Sequence, residues 1–577
     1  TYNNIFIMKI KHALLYLFVL LLFWQCNNPQ TEILQSPQPL LGVTSQRGMV
    51  VSAREEASKI GRDIMQQGGN AFDAMVATEM ALAVCYPNAG NLGGGGFMVY
   101  RTHKGEVGAL DYREKAPLLA SKDMYLDQNN TYLRDKSKTG GLAVGVPGTI
   151  AGIFKAHHKF GSLPIQTILR PVILLAKNGF KITEKQAAQL NNYSAVIKKT
   201  NKENSLYTKK FKPGDVFVNK ALAATLQEIS NKGRSAFYQG DIAKTLVRFL
   251  QKNGGIISLK DLENYQAIWR EPIIFNYKDL RIISMSPPSS GGICLAQILK
   301  TTANFPIASY GHNTTKTTQV LVEAQRRAYA DRSHYLGDPD FIDIPVDSLL
   351  SDAYLKKRME SFSFQGATPS HQIKHGNLLA PESKETTHYS IVDSYGNAIA
   401  VTTTLNASFG SKLYSKELGF FLNNEMDDFS AKPGAPNLFG LIGADANAIA
   451  PQKRMLSSMT PTLIERDNKL WMTLGTPGGS TIITSVLQTI LNVYEFNMSM
   501  QQAVDAPRFH HQWLPDVVRV EATSFDTKTI KSLESKGYVV DYKNPSIIGK
   551  VDAILVLPDG SFEAGADKRG DDTAVGF

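Results

Sequence analysis

Residues 386–411 read TTHYSIVDSYGNAIAVTTTLNASFGS. Two runs rich in β-branched and aromatic residues, 387–393 and 397–405, flank Ser394-Tyr395-Gly396, which predicts an antiparallel hairpin. A three-residue hairpin loop wants glycine at its third, left-handed position, where Gly396 stands. That register pairs Asp393 with Asn397 and, carried to the far end, Thr386 with Thr404; a two-residue turn would shift every pair by one. Ahead of the hairpin, 362–385 lacks periodicity and holds two prolines and two glycines, so it reads as a mobile loop.

A threonine at such a strand start has one route to chemistry. Its hydroxyl is a weak nucleophile unless a base lies beside it. An N-terminal threonine supplies that base as its own α-amine, whose ordinary pKa of about 7.7–8.0 leaves a useful fraction unprotonated near neutrality. An internal Thr386 gains this only if the chain is cut before it, and Thr387 is the rival. On spacing alone, a threonine pair here is simply the start of a strand. Other nucleophile and cofactor signatures are absent: there is no G-x-S-x-G, no H-E-x-x-H and no G-x-x-x-x-G-K-[ST]. GNLGGGGF at 90–97 lacks dinucleotide spacing. PPSSGG at 287–292 reads as a turn whose serines bond to nearby backbone. His510-His511 reads as structural, because adjacent strand residues face opposite ways.

The rest of the chain is ordinary globular text, 577 residues with 43% hydrophobic and 20% charged. Length alone would allow three or four domains or one large α/β core. Residues 53–84 read as two helices broken at Gly68-Gly69, FMVYR after 96 as a strand, and 315–335 as a long helix. Residues 181–215 carry eight lysines and read as a solvated helical excursion. The net charge of +10 arises from 62 basic against 52 acidic residues, too dilute for a nucleic-acid footprint. Three cysteines, Cys26, Cys85 and Cys294, are too few for a disulfide scaffold or a zinc site.

The first forty residues read as an address. Lys9, Lys11 and His12 follow Met8, and Ala13–Trp24 is a run of twelve apolar residues. That is the length of a signal-peptide core and too short for a hydrocarbon layer of ~30 Å. Cys26 ends the run and resembles a lipidated cysteine, although Gln25 stands where a small residue is usual; an ordinary signal peptide is the alternative. Export, to the periplasm, the outer membrane as a lipoprotein, or the medium, is the expectation.

The hairpin segment resembles the start of the small subunit of the γ-glutamyltranspeptidase family. FLNNEMDDFSAKPGAPN (421–437), RMLSSMTPT (454–462), GTPGGS (475–480) and APRFHHQ (506–512) match in order. Upstream, so do GNAFDAMVA, AGNLGGGGFM, LDYREKAP, VGVPGTIAG, PPSSGG and EAQRRAYADRSHYLGDP. The match runs from about residue 45 to the end. It implies a precursor of the N-terminal-nucleophile hydrolase superfamily that cuts itself between Glu385 and Thr386. The pieces would be a signal and linker (1–40), a large subunit (41–385) and a small catalytic subunit (386–577). They would interleave in an α+β, four-layer αββα sandwich.

By the same resemblance Thr386 attacks the γ-carbonyl of glutathione or another γ-glutamyl donor, and the acyl group passes to water, an amino acid or a peptide. Thr404 hydrogen-bonds the nucleophile, as the hairpin register also suggests. The backbone amides of Gly478 and Gly479 hold the oxyanion. Arg113, with Ser457 and Ser458, takes the donor α-carboxylate, and Asn406, Glu425 and Asp428 take its α-ammonium. No metal or cofactor is implied. Two departures stand out: Glu425 replaces a glutamine of some bacterial relatives, and Phe439 stands where some carry a lid tyrosine, within a lid loop at about 433–444. Two rivals remain, a cephalosporin-acylase-like relative acting on glutaryl-type side chains, and an uncut surface lipoprotein that only binds such ligands. If the cut is made, the charge divides: 46 basic and 31 acidic residues up to 385 give +15, and 16 and 21 from 386 on give −5. Opposite signs favour the pieces staying together.

Overall fold

In a computed structural model, residues 40–373, 386–432 and 443–577 are described. Fourteen strands build two sheets: β1 (Val43–Ser45), β2 (Met49–Ser52), β3 (Gly95–Arg101), β4 (Val107–Asp111), β5 (Ile268–Arg270), β6 (Ile273–Tyr277), β7 (Leu280–Ser284), β8 (Thr387–Val392), β9 (Ala398–Thr404), β10 (Thr462–Arg466), β11 (Lys469–Gly475), β12 (Asp552–Val556), β13 (Phe562–Ala566) and β14 (Thr573–Gly576). One sheet runs β14-β2-β8-β9-β3-β4-β5 and the other β1-β13-β12-β11-β10-β7-β6, with every pairing antiparallel.

The expected hairpin register is present. Thr387 lies opposite Thr403 and Val392 opposite Ala398, and the Asp393 N–H donates to the Asn397 carbonyl at 3.1 Å. Gly396 has φ +95°, as the three-residue loop requires. The Asp393 carboxylate accepts from the N–H groups of Tyr395 and Asn397, each at 2.9 Å, and of Ala71 at 2.8 Å. The hairpin tip is thereby tied to the start of a helix.

Strand alternation then decides the layers. Met49, Val51, Phe97, Val99, Ala400, Leu463 and Ile554 fill the space between the sheets. Their neighbours Val50, Met98, Tyr100, Ile399 and Val401 point outward onto α1 (Glu55–Gln66), α2 (Ala71–Cys85), α3 (Thr149–Phe160) and α4 (Ile165–Asn178). On the far side Ile282, Ile464, Met472 and Leu474 meet α5 (Gly291–Thr302), α6 (Thr315–Tyr335) and α7 (Thr481–Tyr494). The result is the expected αββα sandwich. α2 is buried on every side, which its apolar text (AFDAMVATEMALAVC) permits at the centre of a layer. Residues from Leu41 on form one compact unit, not three or four domains, because strands from both halves of the chain share both sheets.

One expectation is corrected. Residues 362–373, read as part of a mobile loop, are anchored. The Ser370 carbonyl accepts from Trp513 Nε1 at 3.0 Å, the Ser370 N–H donates to Asp516 at 2.7 Å, and the Thr368 N–H donates to Glu323 at 3.1 Å. Aperiodic text was mistaken for mobility; the partners come from segments distant in sequence. The lysine-rich excursion forms the expected helix, Glu184–Asn201. Its lysines are exposed, while Leu190 and Ile197 are buried in the core. The Cys26 segment, Glu385 and Phe439 lie outside the described residues. Among the described residues no helix is long and apolar enough to cross a membrane.

Candidate active site

Antiparallel pairing places the starts of β8, β3 and β10 and the ends of β9, β4 and β11 at one end of the sandwich. The residues just beyond those strand ends converge there. Thr386, Thr404, Asn406, Arg113, Glu425, Asp428, Ser457, Ser458 and Gly479 line a single small pocket, together with Arg332, Met459 and Ile482. Gly478 adjoins it in sequence. Thr386 is 4% exposed and immediately precedes β8.

The glycines of GNLGGGGF serve close packing of this wall. A Cβ on Gly94 would lie 2.0 Å from the Thr404 carbonyl oxygen, and one on Gly95 2.6 Å from Glu114 Oε2. Only glycine lets β3 approach β9 and the acid this closely. The Thr404 hydroxyl accepts from the Asn406 N–H at 2.7 Å, so its own proton remains available to a neighbour. Among the described residues no hydrogen bond joins it to Thr386. Asn406, at φ +73°, donates its Nδ2 to the Asn424 carbonyl at 3.0 Å, which leaves its Oδ1 as an acceptor.

Two backbone N–H groups stand out. Gly478 and Gly479, at φ +137° and +57°, are buried, and neither N–H meets an acceptor among the described residues. Their carbonyls are used instead, by the Thr481 and Ile482 N–H groups at 3.1 and 3.2 Å. Buried N–H groups without acceptors are rare, and these two precede the N-terminus of α7, where the helix dipole favours negative charge.

The charged groups form a tight cluster. Arg113, 1% exposed, meets Glu425 Oε2 and Asp428 Oδ2 at 2.5 Å each, and Glu114 Oε2 at 3.5 Å. Among the described residues both Glu114 oxygens lack a hydrogen-bond donor, and Glu425 has only the ion pair. Burial pushes the Glu114 carboxyl up to about 8 and Asp428 up to about 6, despite the opposing pull of Arg113. Burial likewise holds Glu425 well above the usual carboxylate range. The hydroxyls of Ser457 and Ser458 already accept hydrogen bonds, from the Met459 N–H at 3.1 Å and from Arg332 Nη2 at 3.1 Å. Among the described residues neither hydroxyl donates in turn. PPSSGG supports them, since the Ser290 N–H and hydroxyl donate to the Ser457 carbonyl at 2.8 and 2.7 Å. His510 and His511 are buried and tied to protein partners, Thr484 and Gln512 for the first and Asp516 for the second. Among the described residues no group of acids, histidines or cysteines is placed to hold a metal.

Sequence reading missed Arg332 and Glu114 as members of the cluster. Both lie within quoted motifs, but only packing shows that their side chains are buried against this pocket.

Two stacked antiparallel sheets between helix layers, with a threonine at the start of a central strand, form the architecture of the N-terminal-nucleophile hydrolases. A cephalosporin acylase from Bacillus halodurans shares the fold, with TM-score 0.82 at 24% identity over 96% of this chain and 99% of that one. The Helicobacter pylori gamma-glutamyltranspeptidase structure matches with TM-score 0.54 at 43% identity, over 56% of this chain and 94% of that one. The family model described as gamma-glutamyltranspeptidase matches residues 57–577. The glutathione hydrolase proenzyme of Escherichia coli (strain K12) is 46% identical over 541 residues, 93% of each chain, and that of Bacillus subtilis (strain 168) is 37% identical over 549 residues. The chain belongs to the γ-glutamyltranspeptidase family.

Proposed function

We propose that this chain is a self-cleaving γ-glutamyltransferase and glutathione hydrolase whose nucleophile is Thr386. The observation that carries the reading is the pocket itself. Residues from seven separate segments bring a hydroxyl nucleophile, two unused N–H donors and a charge pattern suited to an amino-acid head group to one place. In the precursor, Thr386 Oγ attacks the Glu385 carbonyl carbon, the C–N bond breaks as an ester forms, and water hydrolyses the ester. The products are a Glu385 carboxylate and a free Thr386 α-amine. The large piece then ends at Glu385, and the small piece, 386–577, begins at the nucleophile.

In turnover the α-amine takes the Thr386 hydroxyl proton as Oγ attacks the donor γ-carbonyl. Thr404, whose proton meets no acceptor among the described residues, donates toward Oγ and orients it. The Gly478 and Gly479 N–H groups stabilise the oxyanion, where fixed donors in a dry site are worth far more than in water. The α-carboxylate is held by Arg113, Ser457 and Ser458, and the α-ammonium by Asp428, Glu425 and Asn406 Oδ1. Without donor, Arg113 is already occupied by Glu425 and Asp428. The zwitterionic head group enters by exchange, its carboxylate taking over the Arg113 guanidinium and its ammonium the acids, so these groups trade one ionic partner for another. The acyl-enzyme passes its γ-glutamyl group to water, an amino acid or a short peptide. Export of the chain and a lipid on Cys26 belong to the same reading.

Thr386→Ala tests it. The variant stays a single chain on a denaturing gel and turns over no γ-glutamyl-p-nitroanilide, whereas the parent gives two bands and activity. Cleavage at 385/386 in the variant would overturn the mechanism.

A further inference from the structure

α6 carries three buried arginines, and one differs from the others. Arg326 pairs with Asp516 and Arg327 with Glu323. Arg332 is 4% exposed and lines the pocket, yet no carboxylate lies within ion-pair distance of it among the described residues. Its hydrogen bonds go to neutral hydroxyls, from Nε to Ser290 Oγ at 2.8 Å and from Nη2 to Ser458 Oγ at 3.1 Å. Its position in the last turn of α6, where the carbonyl ends favour a cation, helps to hold the charge. Burial lowers its pKa, with Asp428 among the groups opposing that. A buried cation without an anion is costly unless a ligand supplies one.

We propose that Arg332 is a positioning residue of the donor-carboxylate subsite, fixing Ser458 as a hydrogen-bond donor toward that carboxylate. A guanidinium can only donate. When Arg332 donates to Ser458 Oγ, that hydroxyl turns its own proton away, toward the pocket. The second bond, to Ser290 Oγ, ties the same guanidinium to the hydroxyl that donates to the Ser457 carbonyl. One planar fork thus sets both serines, which a lysine, with one point of charge, cannot reproduce. This inference rests on the proposed carboxylate role of Ser457 and Ser458.

The test compares two donors on the self-cleaved protein, γ-glutamyl-p-nitroanilide and 4-aminobutanoyl-p-nitroanilide, which has the amine but no α-carboxylate. Arg332→Gln is expected to raise KM for the first about 10- to 100-fold, the scale of a charge-assisted hydrogen bond, with kcat changed less than about 3-fold. The weaker turnover of the second donor is expected to be unchanged. Arg332→Lys recovers part of the loss. On a Ser458→Ala background, Arg332→Gln adds little, because the two act through one bond. Equal losses with both donors, or full additivity with Ser458→Ala, would overturn the proposal. If Arg332→Gln does not self-cleave, Arg332→Lys decides, by inhibition with L-glutamate against 4-aminobutanoate; an unchanged ratio of the two constants sinks the idea. If the parent enzyme itself does not distinguish the two donors, the underlying carboxylate reading fails instead.

Discussion

Two buried clusters of arginine and carboxylate are built in opposite ways. Around Arg508 and Arg569, Asp567 accepts from Arg508 Nη2 at 2.9 Å, the Val551 N–H at 2.8 Å and the Arg569 N–H at 3.0 Å. Glu521 accepts from the Arg508 N–H at 3.0 Å, the Ile548 N–H at 2.7 Å and Arg569 Nη2 at 2.6 Å. Burial alone would raise the Asp567 carboxyl, but Arg508 and Arg569 hold it below its ordinary value. Around Arg113 the reverse holds: among the described residues Glu114 has no donor and Glu425 only its ion pair, and burial wins over the guanidinium. Among the described residues both carboxylates of the first cluster have their donors without a ligand, although Arg508 Nε lacks an acceptor, whereas the second has carboxylates short of donors. Buried charge by itself therefore does not mark a site; carboxylates short of donors beside a pocket do.

The sharpest way to break this contrast is to remove one member of each cluster. Arg113→Ala is expected to lower kcat/KM for a γ-glutamyl donor by roughly 10²–10³-fold, mostly through KM, while the chain still cleaves itself. Asp567→Ala leaves Arg508 buried without its acid and is expected to destabilise folding by about 3–5 kcal/mol, read by urea denaturation. If donor KM is unchanged in the first, or stability in the second, the clusters have been assigned the wrong way round.

A smaller effect sharpens the same point through pH. Glu114 keeps its proton in the folded protein up to about pH 8, against an ordinary value of 4.5. The stability gained by keeping it neutral is present below about pH 4.5 and is lost as pH rises through 8. Without donor, the melting temperature of the parent should fall between pH 5 and pH 8 more steeply than that of Glu114→Gln. Equal slopes would show that Glu114 is ionised throughout. The smallest effect belongs to a pair outside both clusters. Arg248 and Glu417 lie 3.4 Å apart, with side chains 67% and 68% exposed, and Arg248→Ala should change stability by no more than about 0.5 kcal/mol.

Local pattern made much of this legible. The hairpin register followed from Gly396 and the β-branched runs, because turn geometry and a period of two fix which residues face each other. The helices at 55–66, 71–85 and 315–335 were legible, the first two separated by the Gly68-Gly69 break, and 71–85 as an apolar run rather than a one-sided pattern. Residues 362–373 were misread because a segment without a pattern of its own can be held by partners far away. GNLGGGGF was legible as a glycine cluster but not as a wall against Thr404 and Glu114.

The sequence by itself determined the strand pairing around Thr386, the order of the motifs and the residue types the site uses, since these depend on short-range geometry and on chemistry that few side chains can perform. Tertiary structure alone decided that Arg113 is already paired with Glu425 and Asp428, that the Thr404 and Ser458 hydroxyls accept rather than donate among the described residues, and that Arg332 carries a buried charge with no acid in ion-pair range among them. Burial and hydrogen-bond direction depend on which distant segments meet, and no local pattern in the chain encodes that.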